Sequence, residues 1–283
     1  MSARGSSSWG SAGRGSSGRG TSGRRPARRG VGGPERLGPD AGYWAWSRRP
    51  LHVLALLLPL IIAYEVGSVL YLTDASRGVV ETIQARGILG DAFGVFGAVG
   101  LHLPAIVLVV VLMCWHVALR DPWRVRGWHV AGMAGESVAW TMPLLIFAIL
   151  TAPAAPALGS GAVPVEAVFE MPWQARLTLA IGAGLYEELL FRLILMAVIH
   201  FLVVDIAGSK DEVGNVVAII AQAALFALYH DVSHPGGGAN LGLMAFYFAA
   251  GLYFGVLFLR RGFGIVVAVH ALYDVVVLLA LAP

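Results

Sequence analysis

The 283-residue chain is 57% hydrophobic and only 13% charged, with a mean hydropathy of +0.73. These values exclude a soluble globular domain and imply a polytopic membrane protein. The net charge of +3 hides a split, since residues 1–50 hold ten arginines against Glu35 and Asp40 while the rest of the chain is net acidic.

Residues 1–42 are rich in Gly, Ser and Arg and nearly devoid of large apolar side chains. Such a segment cannot bury enough surface to offset the entropy of ordering, so it reads as a disordered tail. It also lacks the ordered regions of a signal peptide. An Arg-rich arm could touch anionic lipid headgroups, but a solvated leader is the plainer reading, and no specific nucleic-acid partner is expected.

Tyr43, Trp44 and Trp46 followed by Arg48 and Arg49 form an interfacial belt beside positive charge. From there apolar runs fall at about 51–72, 97–118, 135–157, 174–204, 214–231, 241–260 and 263–281, most of them near the ~20 residues that cross ~30 Å of hydrocarbon. The fold expected is an all-α, polytopic transmembrane bundle of about seven spans. It divides into the tail (1–42), N-terminal spans with a linker (43–134) and a core (135–283). A cytoplasmic N-terminus puts Arg120, Arg124, Arg126, Lys210, Arg260 and Arg261 on the cytoplasmic side and Glu166 and Glu170 outside. Arg77 and Arg86 then fall on the wrong side, in a linker that is a candidate for a short interfacial helix and that leaves the count open between seven and eight. The single cysteine, Cys114, cannot form an intrachain disulfide and reads as a small core hydrophobe.

Ionisable groups inside a span are costly, so each is paired, lines a wet cavity or serves function. The fourth run carries Glu187, Glu188 and Arg192, the fifth ends Phe226-Ala-Leu-Tyr-His230, and the seventh holds His270-Ala-Leu-Tyr-Asp274. Glu188 and Arg192 stand four apart on one helix face, in the better acid-before-base order, and can pair. Glu187 points ~100° away and is the carboxylate left for chemistry. His270 and Asp274 share a face, as do Phe226 and His230. Packed together, these helices bring carboxylates and imidazoles to one place, which suits activation of a water molecule.

Other polar positions carry less. His52, His102, His116, His129 and His200 read as interfacial or packed residues, and Glu65 and Glu136 as lining the cavity or holding helices together. Asp231 and His234 belong to a Gly-rich connecting loop, and Gly251 and Gly255 form a G-x-x-x-G that allows close helix approach. Counted along the helices, Glu187 and His270 come near mid-bilayer and His230 nearer the outer side.

At these residues the sequence resembles the CPBP family of intramembrane proteases, which includes the CAAX prenyl endopeptidases and the bacteriocin-processing or immunity proteins of the Abi domain. Three motifs match in order over roughly 135–283: EExxxR at Glu187, Glu188 and Arg192; FxxxH at Phe226 and His230; HxxxN/D at His270 and Asp274. The resemblance implies a helical bundle with an intramembrane catalytic chamber. Glu187 would act as general base with His230, His270 and Asp274 would stabilise the oxyanion, and Glu188 and Arg192 would be structural. One departure bears on this: an Asn at the last position can donate a hydrogen bond, whereas an ionised Asp274 cannot. Asp274 would have to be protonated, orient His270, or bind a metal. An alternative makes His230, His270 and Asp274 the ligands of a catalytic zinc with Glu187 as base; the resemblance implies the scheme without a cofactor.

The reading is an intramembrane endopeptidase acting on a membrane-associated protein or peptide precursor, in what is expected to be a bacterial inner (plasma) membrane. The alternatives are a non-catalytic immunity or scaffold protein of the same fold and a proton-relaying transporter, the latter disfavoured because the chain shows no internal repeat.

Overall fold

Where a chain crosses hydrocarbon, every backbone N–H and C=O must be satisfied within the protein, and a helix does this within one segment. The computed structural model describes residues 41–74, 79–80, 83–95, 97, 100, 102–151, 165–233 and 238–280. The tail expected at 1–42 lies outside them but for its last two residues, and so do Arg77 and His234.

A short helix α1 (Tyr43–Trp46) leads into α2 (Pro50–Tyr71), which starts on a proline at its first turn, where no N–H partner is needed. A two-rung antiparallel ladder, β1 (Thr73–Asp74) with β2 (Val79–Val80), precedes α3 (Gln84–Val95), α4 (Leu103–Leu119) and α5 (Gly127–Thr151). After α6 (Val165–Glu170), a continuous helical rod runs from Trp173 to Ile206. It comprises α7 (Trp173–Glu188), a π-helical stretch at Leu189–Leu195, α8 (Met196–Phe201) and a second π-helical stretch at Leu202–Ile206. The chain ends in α9 (Asp211–Tyr229), α10 (Leu241–Arg261) and α11 (Phe263–Ala280).

Among the described residues six helices are long and apolar enough to span a membrane, and α4, at seventeen residues, is a shorter apolar helix. Each of the seven expected runs thus overlaps a helix. The rod of 34 residues is ~51 Å long at ~1.5 Å per residue, so it must tilt or protrude from a ~30 Å hydrocarbon layer. Helix α3 occupies the linker expected to carry a short helix. Helix α5 begins eight residues ahead of the 134/135 line, and α2 packs against both α7 and α11, so the N-terminal spans share one hydrophobic core with the C-terminal ones.

Many large apolar residues are exposed, as along α2 at Leu58, Ile62, Val66 and Leu70, which is the pattern of a surface that meets lipid. Cys114 joins this outer face of α4 instead of the core, because outward positions of a membrane helix need no polar group. One end of the bundle gathers the starts of α2 and α5 and the ends of α4 and α10. There Arg48 Nη2 donates to the Leu259 carbonyl (3.2 Å), Arg49 pairs with Asp121 (3.4 Å) and the Arg126 N–H donates to His52 Nε2 (3.4 Å). Arg120, Arg124, Arg126 and Arg260 are exposed at this same end.

Glu136 and Glu65 are both helix anchors and not chamber residues. Glu136 accepts from Tyr43 Oη and Arg261 Nη2, each at 2.6 Å, tying α1, α5 and α10 together. Glu65 accepts from Tyr186 Oη (2.6 Å), lies 3.5 Å from Arg86 Nη2 and is also bonded by His102. Arg86 is buried in this network and stacks over Tyr64, so its charge is neutralised inside the protein, which removes it from the surface charges that set orientation. His52, His116 and His129 are buried and packed, with His52 and His129 rings 5.3 Å apart and His116 edge-on to Trp123.

Helix pairs meet at glycine. A Cβ on Gly184 of α7 would sit 2.6 Å from the Ala271 backbone nitrogen of α11, and one on Gly251 of α10 would sit 2.8 Å from Ala223 Cα of α9. Gln222 seals the second contact by donating to the Gly251 carbonyl at 2.7 Å. Since both obstacles are backbone, Gly251→Ala must spread α9 from α10 and is expected to cost ~1–3 kcal/mol. A lowered thermal-unfolding midpoint in detergent micelles checks this; an unchanged midpoint would mean the helices are not in contact there.

Candidate active site

Three elements converge on one small cavity. The last turn of α7 supplies Glu187 and Glu188, the end of α9 supplies Phe226 and His230, and the middle of α11 supplies His270 and Asp274. The structure therefore brings together all seven residues picked out by motif spacing. Each of Glu187, Glu188, Arg192, Phe226, His230 and His270 is buried.

Arg192 sits in the π-helical stretch just past the two glutamates, with Nη1 3.0 Å from Glu188 Oε1. Both side chains are fully buried. The guanidinium is wrapped by aromatic faces, 4.2 Å from the Phe226 centroid and 5.1 Å from that of Phe254, and makes no hydrogen bond among the described residues. It is held by charge and by cation–π contact. Phe226 thus has a definite task in its motif, as one wall of the arginine's cage.

The same Glu188 Oε1 accepts from His270 Nδ1 at 2.6 Å. That bond spends the Nδ1 proton and turns Nε2 toward Asp274 Oδ2 (3.5 Å) and Glu187 Oε2 (3.9 Å). His270 is further fixed by stacking on Phe254, 4.7 Å between centroids. His230 caps α9 in an extended conformation, and its Nδ1 lies 2.8 Å from the Phe226 carbonyl. A carbonyl only accepts, so Nδ1 carries the proton and Nε2 is left as the acceptor. Tyr247 stacks on this ring at 3.9 Å, and Nε2 faces Glu187 Oε2 at 3.7 Å.

Glu187 Oε2 is thus a buried oxygen with no hydrogen-bond partner among the described residues, flanked by two imidazole nitrogens at distances too long for direct bonds. Gaps of this length between polar groups are those that a water bridges. The adjoining cavity of about 30 Å³ is lined by Glu187, His230, His270, Asp274 and Tyr273 within apolar walls. One water needs ~10–15 Å³ on this measure, so the space suffices.

His230 Nε2 comes within 4 Å of Glu187, so the two side chains meet although their helices are far apart in sequence. Asp231 points away, exposed, and accepts from the Ser233 N–H at 2.9 Å; hydrogen bonding from the Ser233 side chain and then its backbone holds the carboxyl below the usual range. His200 is near Asp211 at 3.8 Å and takes no part. Among the described residues no group of three or more His, Cys, Asp or Glu is set to hold a metal.

Spacing arguments missed three tyrosines, among them Tyr247, which stacks on His230. Tyr229 Oη lies 3.4 Å from Glu187 Oε1 and accepts from the Ala85 N–H of α3 at 2.9 Å, which ties the first half of the chain to the carboxylate. Tyr273 lines the cavity. A signal was present for Tyr229 and Tyr273: both motifs read Ala-Leu-Tyr immediately before their last ionisable residue.

Residues 169–276 match the family model described as Rce1-like, type II CAAX prenyl endopeptidase Rce1-like. The matched stretch contains all three motifs, and it is the CPBP and CAAX protease family that those motifs resemble. No curated protein and no solved structure matches the chain.

Removing one partner of a buried ion pair leaves the other charge uncompensated, at ~3–5 kcal/mol. Arg192→Met should therefore lower the unfolding midpoint in detergent sharply and reduce accumulation in the membrane. A wild-type midpoint in this variant would contradict the pairing with Glu188.

Proposed function

We propose that this Rce1-like integral membrane protein is a metal-independent endopeptidase that hydrolyses a peptide bond of a membrane-associated protein or peptide precursor. The single observation that carries the reading is Glu187 Oε2, buried and unbonded, facing His230 Nε2 and His270 Nε2 across a cavity large enough for water.

In the proposed mechanism a water lies between Glu187 and His230. Glu187 takes its proton as the oxygen adds to the carbonyl carbon, and the same proton later passes to the departing amide nitrogen. His230 Nε2 orients the water, since its Nδ1 proton is committed to the Phe226 carbonyl. His270, whose Nε2 lies 3.9 Å from the same Glu187 oxygen, and Asp274 are assigned to the side where the oxyanion develops. Tyr229 fixes the second oxygen of Glu187. Glu188 and Arg192 hold His270 and neutralise one carboxylate. The zinc alternative needs His230, His270 and Asp274 to converge as ligands. The chelator measurement below separates the two schemes.

The exposed arginines at one end of the bundle support a cytoplasmic N-terminus under the positive-inside rule, in a bacterial inner membrane. A non-catalytic immunity or scaffold role would need no carboxylate aligned on two imidazoles, and the intact cluster therefore favours catalysis.

Two measurements test the reading. Against a co-expressed or fluorogenic substrate, Glu187→Ala and His230→Ala should each lose at least ~10²-fold in rate, the scale of a positioned acid–base group, while the proteins still accumulate. Equal rates in wild type and Glu187→Ala would end the peptidase proposal. Treatment with a strong chelator should leave wild-type activity unchanged, and loss restored by zinc would instead favour the metal scheme.

A further inference from the structure

The oxyanion side of the cavity lacks an obvious uncommitted donor. His230 gives its Nδ1 proton to the Phe226 carbonyl at 2.8 Å, and its Nε2 faces Glu187. His270 gives Nδ1–H to Glu188 at 2.6 Å, and its Nε2 looks toward oxygens of Asp274 and Glu187. Tyr229 Oη points at Glu187. Asp274, at the position where the motif also allows Asn, has no hydrogen to give when ionised.

Of the two tyrosines lining the cavity, Tyr247 and Tyr273, only Tyr273 has a buried hydroxyl without a hydrogen-bond partner among the described residues. It stands between His270 and Asp274 on α11, is only 3% exposed, and lines the same cavity as Glu187, His230, His270 and Asp274. Burying an unsatisfied O–H destabilises the resting fold, and a phenylalanine would fill the same volume without that cost. The polar atom is retained at the edge of the cavity in which the reaction is placed.

We infer that the Tyr273 hydroxyl donates a hydrogen bond to the carbonyl oxygen as it becomes the oxyanion of the tetrahedral intermediate, supplying the donor that Asp274 lacks. The inference rests on the peptidase reading above. The hydroxyl keeps its proton throughout: the carbonyl π electrons move onto oxygen as water adds and return as the carbon–nitrogen bond breaks. Because this bond is stronger to the charged oxygen than to the substrate carbonyl, it acts on kcat more than on KM.

The test uses the purified full chain in detergent, a panel of quenched fluorogenic peptides, and a hydrophobic peptide aldehyde whose hydrate mimics the tetrahedral intermediate. Tyr273→Phe is expected to lower kcat by ~10²–10³-fold, the usual effect of deleting one oxyanion donor, with KM little changed. It should also bind the aldehyde more weakly while its unfolding midpoint stays equal to or above that of the wild type. Wild-type kcat and aldehyde affinity in Tyr273→Phe, alongside an inactive Glu187→Gln, would overturn the role of Tyr273 alone. A fall in activity matched by a fall in midpoint and a rise in KM would overturn it too, as a packing effect. Full activity in Glu187→Gln, or no cleavage of any panel member by the wild type, would remove the peptidase reading and this inference with it.

Discussion

A carboxylate can be kept inside a membrane bundle only if its charge is answered there, and in this chain the answering group is Arg192. Its guanidinium lies 3.0 Å from Glu188 Oε1 with both side chains fully buried. The desolvation penalty of such a pair rivals its Coulomb gain, so the pair is weak as a source of stability. Its value is positional. Glu188, once held, also accepts from His270 Nδ1, so one oxygen fixes both a neighbouring turn and a ring on another helix. The aromatic cage of Phe226 and Phe254 around Arg192 extends that order to α9 and α10. Glu187 is left with an unbonded oxygen because its neighbour has taken the cation.

Backbone geometry at this point is also specialised. Immediately after Glu188 the rod widens into a π-helical stretch, where the Met196 N–H reaches the Phe191 carbonyl five residues back. Such widenings recur at functional sites, since they change which side chains share a face. Close packing does the rest. Gly184 lets the α7 backbone approach Ala271 next to His270, and without that approach the imidazole could not reach across to Glu188. On the other side, the α3 amide of Ala85 holds Tyr229 and, through it, Glu187. The N-terminal spans are therefore part of the site's support although none of the three motifs lies in them.

The chamber is small and mostly apolar-walled, with the polar atoms gathered at one side. That arrangement suits the proposed hydrolysis, since a water-sized space stands among groups of fixed orientation. Each imidazole has its tautomer constrained by a bond on its far nitrogen, to a carbonyl for His230 and to a carboxylate for His270. Fixed dipoles of this kind need no reorganisation as charge develops.

Much of this was written in the linear chain, for a physical reason. Spans are set by runs of apolar residues, and charged residues are so rare within them that Glu187, Glu188, Arg192, His230, His270 and Asp274 identify themselves. Helical spacing alone pairs Glu188 with Arg192. What spacing cannot supply is distance between segments. The role of Glu65 and Glu136 as anchors, the burial of Arg86, and the place of Cys114 on the outer face all depend on which helix lies opposite. That His230 Nε2 meets Glu187 Oε2 likewise depends on how α9 packs against the rod that carries Glu187. The sequence by itself determined the membrane bundle and the cast of ionisable residues, because burial of charge is costly wherever it occurs. Only the tertiary structure decided that Glu187 faces two imidazoles across a water-sized space and that Tyr229 and Tyr273 stand beside it, because contacts between helices depend on glycine-sized clearances that no periodicity encodes.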